Sequence, residues 1–400
     1  MRNSLLALFV LLIPMVASSC GGAATTPAQR VEEPTLPEGA IPFSYHNHLY
    51  FEVEVADSVK CRMLFDTGNS HLLFDETFYA DRFADRLPVR RSMLGGAGGG
   101  MQQARLAMGE WHYRLGNQTM VEPMAVVMDL RNIVGSRADG MIGMQFTEGR
   151  RVEFNYADGY IRPLDDNEKI GVDYTRIPCT WLDASKRRLV MPLTVTLADG
   201  LVLEGNFLVD TGMPAALSLT SGTARRLNLL QHLTDARRAV YDVGGVGGSS
   251  EEYHFVAKRL TVGGHTVESL RASWSVNEQG SLADSRYDGL VGNELLARFD
   301  VIFDFVEGMI YLRPNRHFAD PQPRTMGVSL REQADHWVVN GLTEGSNADR
   351  AGLRRGDRVE QINGLTPSDL GSMTFDSLPD RLTLQVRRAG ELVEIAFDKE

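Results

Sequence analysis

The chain repeats one short motif whose residue types suit acid–base chemistry. The motif is Asp-Thr-Gly, present as Asp66, Thr67 and Gly68 and again as Asp210, Thr211 and Gly212. At average residue usage, a given tripeptide is expected on the order of 0.1 times in a chain of this length. An alternating apolar run precedes each copy, which places each Asp at the end of a predicted strand, where functional groups are often found. The repeat therefore predicts two carboxyl groups in equivalent positions.

Two carboxyl groups brought together can hydrolyse a peptide bond without a metal ion or a cofactor, and we expect neither here. One ionised Asp activates water as a base, while one protonated Asp donates to the carbonyl oxygen or to the leaving amine. Two unit charges about 3 Å apart repel by about 5 kcal/mol at an effective dielectric of about 20, so such a pair retains one proton over a wide pH range. A single Asp-Thr-Gly is equally well explained as a turn in which the Asp caps its own backbone. The duplication favours Asp66 and Asp210 as catalytic residues.

Two further landmarks follow each Asp-Thr-Gly in the same order. The first is a glycine-rich segment, which we interpret as a hairpin tip that closes over a bound peptide; a plain surface loop is the alternative. The second is 139–143 in the first copy and 288–292 in the second, which end in two apolar residues and Gly and are predicted to be core strands beneath the acids. The hairpin-tip residues are Gly95, Gly96, Ala97, Gly98 and Gly99, and Gly244, Gly245, Val246, Gly247 and Gly248. The shared order indicates an internal duplication.

This order of motifs resembles that of the retropepsin and pepsin family of aspartic proteases, over roughly residues 41–314. The resemblance implies a mainly β fold in which each half is one retropepsin-like β-barrel lobe, residues 41–170 and 171–318. Short alternating runs bounded by turns, such as 49–55, agree with strands in both halves. Brief helices are predicted after the second acid and near 294–299.

The same resemblance assigns roles to the repeated motif. Asp66 and Asp210 would form a dyad that shares a proton, for which this family is the established example. Thr67 and Thr211 would hydrogen-bond across the lobes and hold the dyad flat. Gly68 and Gly212 would let backbone N–H groups approach the carboxyl groups, and the glycine-rich tips would act as flaps.

The two copies differ immediately after the motif. Family members usually continue with Ala or Ser and then with Ser, Thr or Asp, whereas the chain has Asn69 and Ser70 in the first copy and Met213 and Pro214 in the second. The second copy therefore lacks the expected hydroxyl or acid. A non-catalytic peptide-binding protein with a degenerate cleft is the alternative that this difference leaves open.

The C-terminal part of the chain resembles a second family. After a Pro-containing linker at 319–325, residues 345–364 resemble a bacterial PDZ domain closely, and we assign 326–400 to it. Met326, Gly327 and Val328 match the family's carboxylate-binding loop, in which backbone N–H groups bind the C-terminal carboxylate of a peptide. The helix that closes the groove, near 369–377, is predicted to be short because Pro and Gly flank it.

The N-terminus resembles a bacterial lipoprotein signal. Residues 1–19 combine Arg2, an apolar core and small residues before Cys20, and the core is too short for a permanent membrane span. We expect cleavage before Cys20 and lipidation of its thiol, with 20–40 as a flexible tether; ordinary secretion is the alternative. The predicted location is the bacterial cell envelope, with the outer membrane facing the periplasm favoured.

Composition adds two exclusions. The net charge is −11 and no basic stripe is present, which argues against a nucleic-acid partner. Besides Cys20, only Cys61 and Cys179 remain; an oxidising compartment permits a disulfide between them, but we expect none. The sequence as a whole predicts a membrane-anchored aspartic endopeptidase acting on peptides or unfolded proteins, with a PDZ module that binds C-terminal peptides.

Overall fold

The structure is a computed structural model that describes residues 36–56, 58–84, 89–96, 100–242, 245–371 and 373–400. The predicted signal peptide, Cys20 and most of the predicted tether lie outside the described residues, as do Ala97, Gly98, Gly99 and Gly244. Residues 36–400 belong to one compact unit. The unit is mainly β and contains two similar lobes and a C-terminal α+β domain, so the predicted fold class is confirmed.

The first lobe is built on one curved, mixed sheet. It begins with the hairpin predicted from the alternating pattern, in which Leu49 faces Phe65 and Val55 faces Val59. The sheet closes toward a barrel because the first long strand also pairs with the strand after the flap. In spatial order its strands are Ser44–Tyr45, Leu49–Val55, Val59–Asp66, Gly140–Gly143, Leu72–Asp75, Gln118–Met128, Met101–Leu115 and Val89–Gly95.

The second lobe repeats this order. Its first hairpin again carries the Asp-Thr-Gly at the end of the second strand, and an additional pairing of Leu189–Thr196 with Ser250–Val262 curves the sheet in the same way. In spatial order its strands are Thr180–Trp181, Leu189–Thr196, Val202–Val209, Gly289–Val291, Leu217–Leu219, His265–Ser275, Ser250–Val262 and Arg237–Tyr241. The internal duplication of the sequence is thus a duplication of topology.

Each acid is positioned by a strand of the predicted apolar-apolar-Gly type. Val59–Asp66 runs parallel to Gly140–Gly143, and Val202–Val209 runs parallel to Gly289–Val291. These short strands are buried, as expected for core strands beneath the acids. A Cβ atom at Gly143 would lie 1.8 Å from the carbonyl oxygen of Asp66, so only glycine permits this close approach.

A third sheet joins the two lobes. Its centre is the antiparallel pair Arg151–Asn155 and Phe299–Asp304, one strand from each half, in which Phe154 faces Val301. Each half adds two outer strands, so the sheet is itself nearly symmetrical. Its strands in order are Ile41–Pro42, Tyr160–Leu164, Arg151–Asn155, Phe299–Asp304, Met309–Pro314 and Thr175–Pro178. One continuous apolar core runs through both lobes across this sheet.

Helices are short and lie at the ends of strands. Glu76–Phe83 begins at Asp75, whose carboxylate accepts hydrogen bonds from the N–H groups of Thr77 and Phe78. The remaining α-helices are Arg131–Val134, Met144–Thr147, Ser221–Leu227, Leu229–His232, Asn293–Leu296, Asn347–Arg350 and Pro367–Leu370, and the 3₁₀ helices are Ser281–Ala283 and Phe375–Ser377. The helix expected to close the PDZ groove is short, and Pro367 stands in its first turn.

The C-terminal domain has its own apolar core around Trp337, but its sheet is continuous with that of the second lobe. Arg237–Tyr241 of the second lobe pairs antiparallel with Trp337–Thr343, so that Tyr241 faces Gly341. The domain's strands are Val328–Glu332, Trp337–Thr343, Arg358–Ile362, Arg381–Arg388 and Glu391–Asp398. The Pro-containing linker at 319–325 separates the two domains in the sequence, but strand pairing, which the apolar pattern does not specify, joins them in the structure.

Candidate active site

Asp66 and Asp210 lie side by side where the two lobes meet. A Cβ atom at Gly212 would lie 2.5 Å from Asp66 Oδ2, and one at Gly68 would lie 3.4 Å from Asp210 Oδ1. The N–H of Gly68 donates to Asp66 Oδ1 (2.5 Å), and the N–H of Gly212 donates to Asp210 Oδ1 (2.9 Å). The absence of side chains at these glycines is therefore what lets the carboxyl groups approach each other.

The two threonines connect the lobes directly beneath the acids. The N–H of Thr67 donates to Thr211 Oγ1 (2.9 Å), and the N–H of Thr211 donates to Thr67 Oγ1 (3.0 Å). Each hydroxyl then donates to a carbonyl of the opposite lobe, at Val209 and Phe65 respectively (both 3.3 Å). Since both side chains are buried, this reciprocal set fixes the two Asp-Thr-Gly turns against each other.

Burial and the neighbouring groups shift the pKa of each acid of the dyad. Burial raises the pKa of Asp66 well above its usual range, and the neighbouring carboxylate of Asp210 raises this pKa further. Burial also raises the pKa of Asp210, but the hydrogen bond from Asp66 and the N–H of Gly212 oppose that shift. The two acids therefore titrate as a coupled pair that shares one proton.

The backbone around the second acid matches that around the first, despite Met213 and Pro214. The N–H of Asn69 donates to the carbonyl of Asp66 (3.0 Å), and the N–H of Met213 donates to the carbonyl of Asp210 (3.2 Å). Both turns thus have the same hydrogen-bonded form. The difference between the copies is confined to side chains, and Met213 and Pro214 line the cleft.

Three residues that we did not select from the sequence support the second Asp-Thr-Gly. Asn293 Nδ2 donates to the carbonyl of Thr211 (2.7 Å), and the Tyr156 hydroxyl donates to Asn293 Oδ1 (2.9 Å). His48 Nε2 lies 3.1 Å from the carbonyl of Gly212, and burial lowers the pKa of His48 to about 4, so the ring is neutral and donates. Asn293 was detectable as a polar residue directly after the repeated Gly; the other two carry no sequence signal.

The glycine-rich segments meet above the dyad. A Cβ atom at Gly96 would lie 2.7 Å from the Cβ atom of Val246, and one at Gly100 would lie 3.0 Å from the carbonyl oxygen of Gly247. The carbonyl of Gly96 also accepts from the N–H of Ser281 (3.0 Å) in the second lobe. Gly95, Gly245 and Val246 line the same cleft, while Gly248 is half-buried and adjoins the Ser250–Val262 strand. The described parts of the predicted flaps thus touch across the cleft.

One cavity of about 1270 Å³ contains both the dyad and the groove of the C-terminal domain. Its walls come from both lobes, from the flap tips and from Gly327, Val328 and the rest of the Val328–Glu332 strand. The first lobe reaches the end of this strand, because Ser136 Oγ donates to Glu332 Oε1 (2.7 Å). The dyad and the predicted peptide groove therefore open into the same space.

The predicted carboxylate-binding loop lies in this cavity. Gly327 has a φ of +68°, and a Cβ atom there would lie 2.4 Å from the Cβ atom of Ser346, so the loop requires glycine. Met326 is buried in the core of the domain, and Val328 begins the groove strand. Glu400 lies beside Gly327 and forms an ion pair with Arg237 of the second lobe (2.6 Å).

Other site types find no support in the described part of the chain. No group of at least three His, Cys, Asp or Glu side chains there is placed to bind a metal ion. No helix of those residues is both long and apolar enough to cross a membrane. Cys61 and Cys179 are free thiols.

Comparisons with known proteins identify two domain families. Residues 51–146 match the family model described as aspartyl protease, and residues 338–388 match that of the PDZ domain. The PDZ domain-containing protein 7 of Pongo abelii and that of Homo sapiens are each 38% identical over 84 residues, 19% of this chain and 8% of the relative. This chain thus spans about 8% of the length of those curated relatives. The aspartic proteinase of Irpex lacteus is 14% identical, with a TM-score of 0.43, and the match covers 70% of this chain and 98% of that one.

Proposed function

We propose that this chain is an aspartic endopeptidase that is held at the bacterial cell envelope by a lipid on Cys20 and that captures substrate with its PDZ domain. The observation that carries the proposal is the pair of adjoining, half-buried carboxyl groups of Asp66 and Asp210, set in two symmetrical Asp-Thr-Gly turns that line one cleft. The aspartyl protease match over residues 51–146 supports the reaction class.

The proposed reaction uses one water molecule and the single proton of the dyad. The ionised acid of the pair removes a proton from water as the water oxygen attacks the peptide carbonyl, and the protonated acid donates its proton to the carbonyl oxygen. The acid that took the proton from water then gives it to the leaving nitrogen as the C–N bond breaks. A hydroxyl of the tetrahedral species returns a proton to the other acid, which leaves a carboxylic acid, an amine and a dyad with one proton. Closed flaps exclude other water molecules during these steps.

Cleavage of an unfolded protein tests this proposal. Casein incubated with the purified protein should give fragments, and a statine-type inhibitor, which resembles the tetrahedral species, should prevent their formation. If casein stays intact at every pH from 3 to 8 while the same protein binds peptides, the alternative of a non-catalytic peptide-binding protein is correct.

The proposed anchor has its own test. Cys20→Ala should move the protein from the membrane fraction to the soluble fraction, because a lipid on the cysteine thiol would no longer form. Cys61→Ala, which changes a buried thiol of the first lobe, is the control. Membrane association that persists in the Cys20 variant contradicts the lipid anchor without affecting the proposed protease activity.

A further inference from the structure

The cleft has chemically different walls in the two lobes. Strand pairing identifies equivalent positions: Leu73 pairs with Val126 and Met141, whereas Ser218 pairs with Ser273 and Leu290. The first-lobe wall is an apolar cluster, and the second-lobe wall is polar at the corresponding places. The equivalent pairs are Leu73 and Ser218, Val126 and Ser273, Leu106 and His254, and Ala104 and Glu252.

Glu252 is the acidic residue of this polar wall. Its carboxyl group lines the cleft and its side chain is 19% exposed. Within the described ranges, no Lys or Arg forms an ion pair with it. Two arginines that also line the cleft are engaged elsewhere, since Arg237 pairs with Glu400 (2.6 Å) and Arg271 pairs with Glu294 (3.2 Å).

His254 does not supply the missing positive charge. Its Nε2 lies 3.8 Å from Glu252 and 3.0 Å from the Tyr241 hydroxyl. Burial, together with the positive charges of Arg237 and Arg271, lowers the pKa of His254 to about 4, so the ring is neutral above that pH. Glu252 is therefore a half-buried acid whose neighbours do not compensate its charge.

A half-buried carboxylate without a cation is costly, because the group has lost water and gained no opposite charge. Burial accordingly raises the pKa of Glu252, and the neighbouring Ser273 hydroxyl opposes the shift. A cationic side chain that enters the cleft would compensate the negative charge of Glu252 and favour its ionised form. No equivalent benefit exists on the first-lobe wall, where Ala104 takes the same position.

We propose that Glu252 forms a subsite for a Lys or Arg side chain of the substrate, with Ser273 and Ser218 as its polar wall. The inference rests on the proposed protease function and deepens it by naming a substrate class: polypeptides with a basic residue in the segment that lies along the second-lobe wall of the cleft. The opposite wall, formed by Leu73, Val126 and their neighbours, takes apolar side chains.

A positional scan of peptide substrates tests the subsite. In peptides that differ at one position only, Lys or Arg should raise kcat/KM over norleucine by about tenfold or more at one position, as expected for a charge that pairs inside a cleft. Norleucine keeps the chain length of Lys without its charge. A wild-type protein with no such preference at any position overturns the proposal.

Three variants identify the residue responsible. Glu252→Gln should remove the Lys-to-norleucine ratio, Glu252→Asp should retain most of it, and Glu252→Arg should instead favour Glu at the same position. Glu251→Gln is the matched control, because Glu251 is the adjacent residue of the strand but pairs with Arg238 (2.6 Å) and does not line the cleft. A ratio unchanged in Glu252→Gln, or lost equally in Glu251→Gln, contradicts the proposal.

Binding measurements separate this inference from the proposed catalysis. Isothermal titration of the wild-type protein with paired peptides containing Lys or norleucine reports the subsite even if no peptide is cleaved. Tighter binding of the Lys peptide, reduced by Glu252→Gln, supports the subsite in a protein without activity. Cleavage without any Lys preference in rate or binding leaves the protease function intact and overturns the subsite alone.

Discussion

At the dyad, the same backbone N–H groups that hold the carboxyl groups also set their charges. Gly68 and Gly212 donate to one oxygen of each acid, which stabilises the ionised form, while burial raises the pKa of both acids and Asp210 raises that of Asp66 further. The balance leaves one proton between two acids, as the proposed mechanism requires. Replacement of either acid alone therefore removes the pair of carboxyl groups that shares the proton.

The first prediction follows from this shared proton. Asp66→Asn and Asp210→Asn should each lower kcat/KM for peptide hydrolysis by about 10³-fold or more, and the double variant should be no worse than either, because the two groups act as a unit. Asp81→Asn, on an exposed position of the Glu76–Phe83 helix, is the control. Circular dichroism checks that each variant is folded. Substantial activity in folded Asp210→Asn would show that the second acid is not catalytic.

The second prediction concerns stability rather than rate. The pKa of Asp66 is higher in the folded than in the unfolded state. Asp66 therefore contributes its full stabilisation at a pH below its pKa in the unfolded chain, and this stabilisation is lost as the pH rises through its pKa in the folded protein. Asp66→Asn removes this loss and should melt a few degrees higher than wild type at pH 7, since one pKa unit corresponds to about 1.4 kcal/mol. The difference in melting temperature should vanish near pH 4, where the side chain at position 66 is neutral in both folded proteins.

Calorimetric melting curves of both proteins from pH 4 to pH 8 measure this difference. His48 and the titrating groups outside the dyad are common to both proteins, so their effects cancel in the comparison. The pKa of Asp210 changes with the residue at position 66, so the measured difference reports the dyad as a pair. A wild type that melts higher than Asp66→Asn at pH 7 would show that the Asp66 carboxylate is stabilised by the fold, contrary to its buried position beside Asp210.

Among the elements, the two flap tips fit closely against each other. Gly96 of the first flap contacts Val246 of the second, with no space for a side chain between them. Gly96→Val should therefore hold the tips apart and lower kcat/KM by about tenfold or more, because misplacement of about 1 Å can cost about 100-fold in rate. The melting temperature should change little, because the tip is half-buried and outside the main core.

Steady-state kinetics on one peptide, with Gly222→Ala as control, measure this effect. Gly222 lies in the Ser221–Leu227 helix, where a Cβ atom meets nothing closer than 3.8 Å. Wild-type kcat/KM in Gly96→Val would mean that the contact between the tips is not part of the active form.

The elements also show what the sequence could predict. Three features were recognisable because each depends on neighbouring residues of the sequence: Asp-Thr-Gly, the apolar-apolar-Gly strands and the glycine-rich tips. The first places a carboxyl group at the end of a strand, and the others contain glycine where the backbone approaches another group closely. Tyr156 and His48 were not recognisable, because they support the second Asp-Thr-Gly from elements far away from it in the chain. The catalytic roles themselves stay predictions.

At the scale of the whole molecule, pairing between strands joins the PDZ domain to the protease cleft. Arg237–Tyr241, which leads into the second flap, pairs with Trp337–Thr343, and the latter pairs on its other side with the groove strand Val328–Glu332. This pairing was not predictable from period-2 patterns, since they specify faces and not neighbours. A peptide added to the groove strand would extend the same sheet that supports the flap.

The last prediction concerns peptides long enough to occupy both sites. The predicted carboxylate-binding loop and the dyad open into one cavity, so we expect that a substrate whose C-terminus is held at Gly327 presents an upstream bond to Asp66 and Asp210. Amidation of the C-terminus should raise KM about tenfold or more, because the loop's N–H groups lose their anionic partner. Residues inserted between the cleaved bond and the C-terminus should move the cut, so that its distance from the C-terminus stays constant.

Mass spectrometry of the fragments locates each cut, and two glycine variants identify the loop as its cause. Gly327→Ala places a Cβ atom 2.4 Å from the Cβ atom of Ser346 and should remove the effect of amidation. Gly345→Ala is the matched control, because Gly345 has the same φ of +68° but open space around its Cβ position. If cuts follow the local sequence and ignore both the free carboxylate and the inserted residues, the PDZ groove and the dyad do not bind one substrate together. Because the two sites share one cavity, we expect the distance from the C-terminus to determine which bond is cleaved.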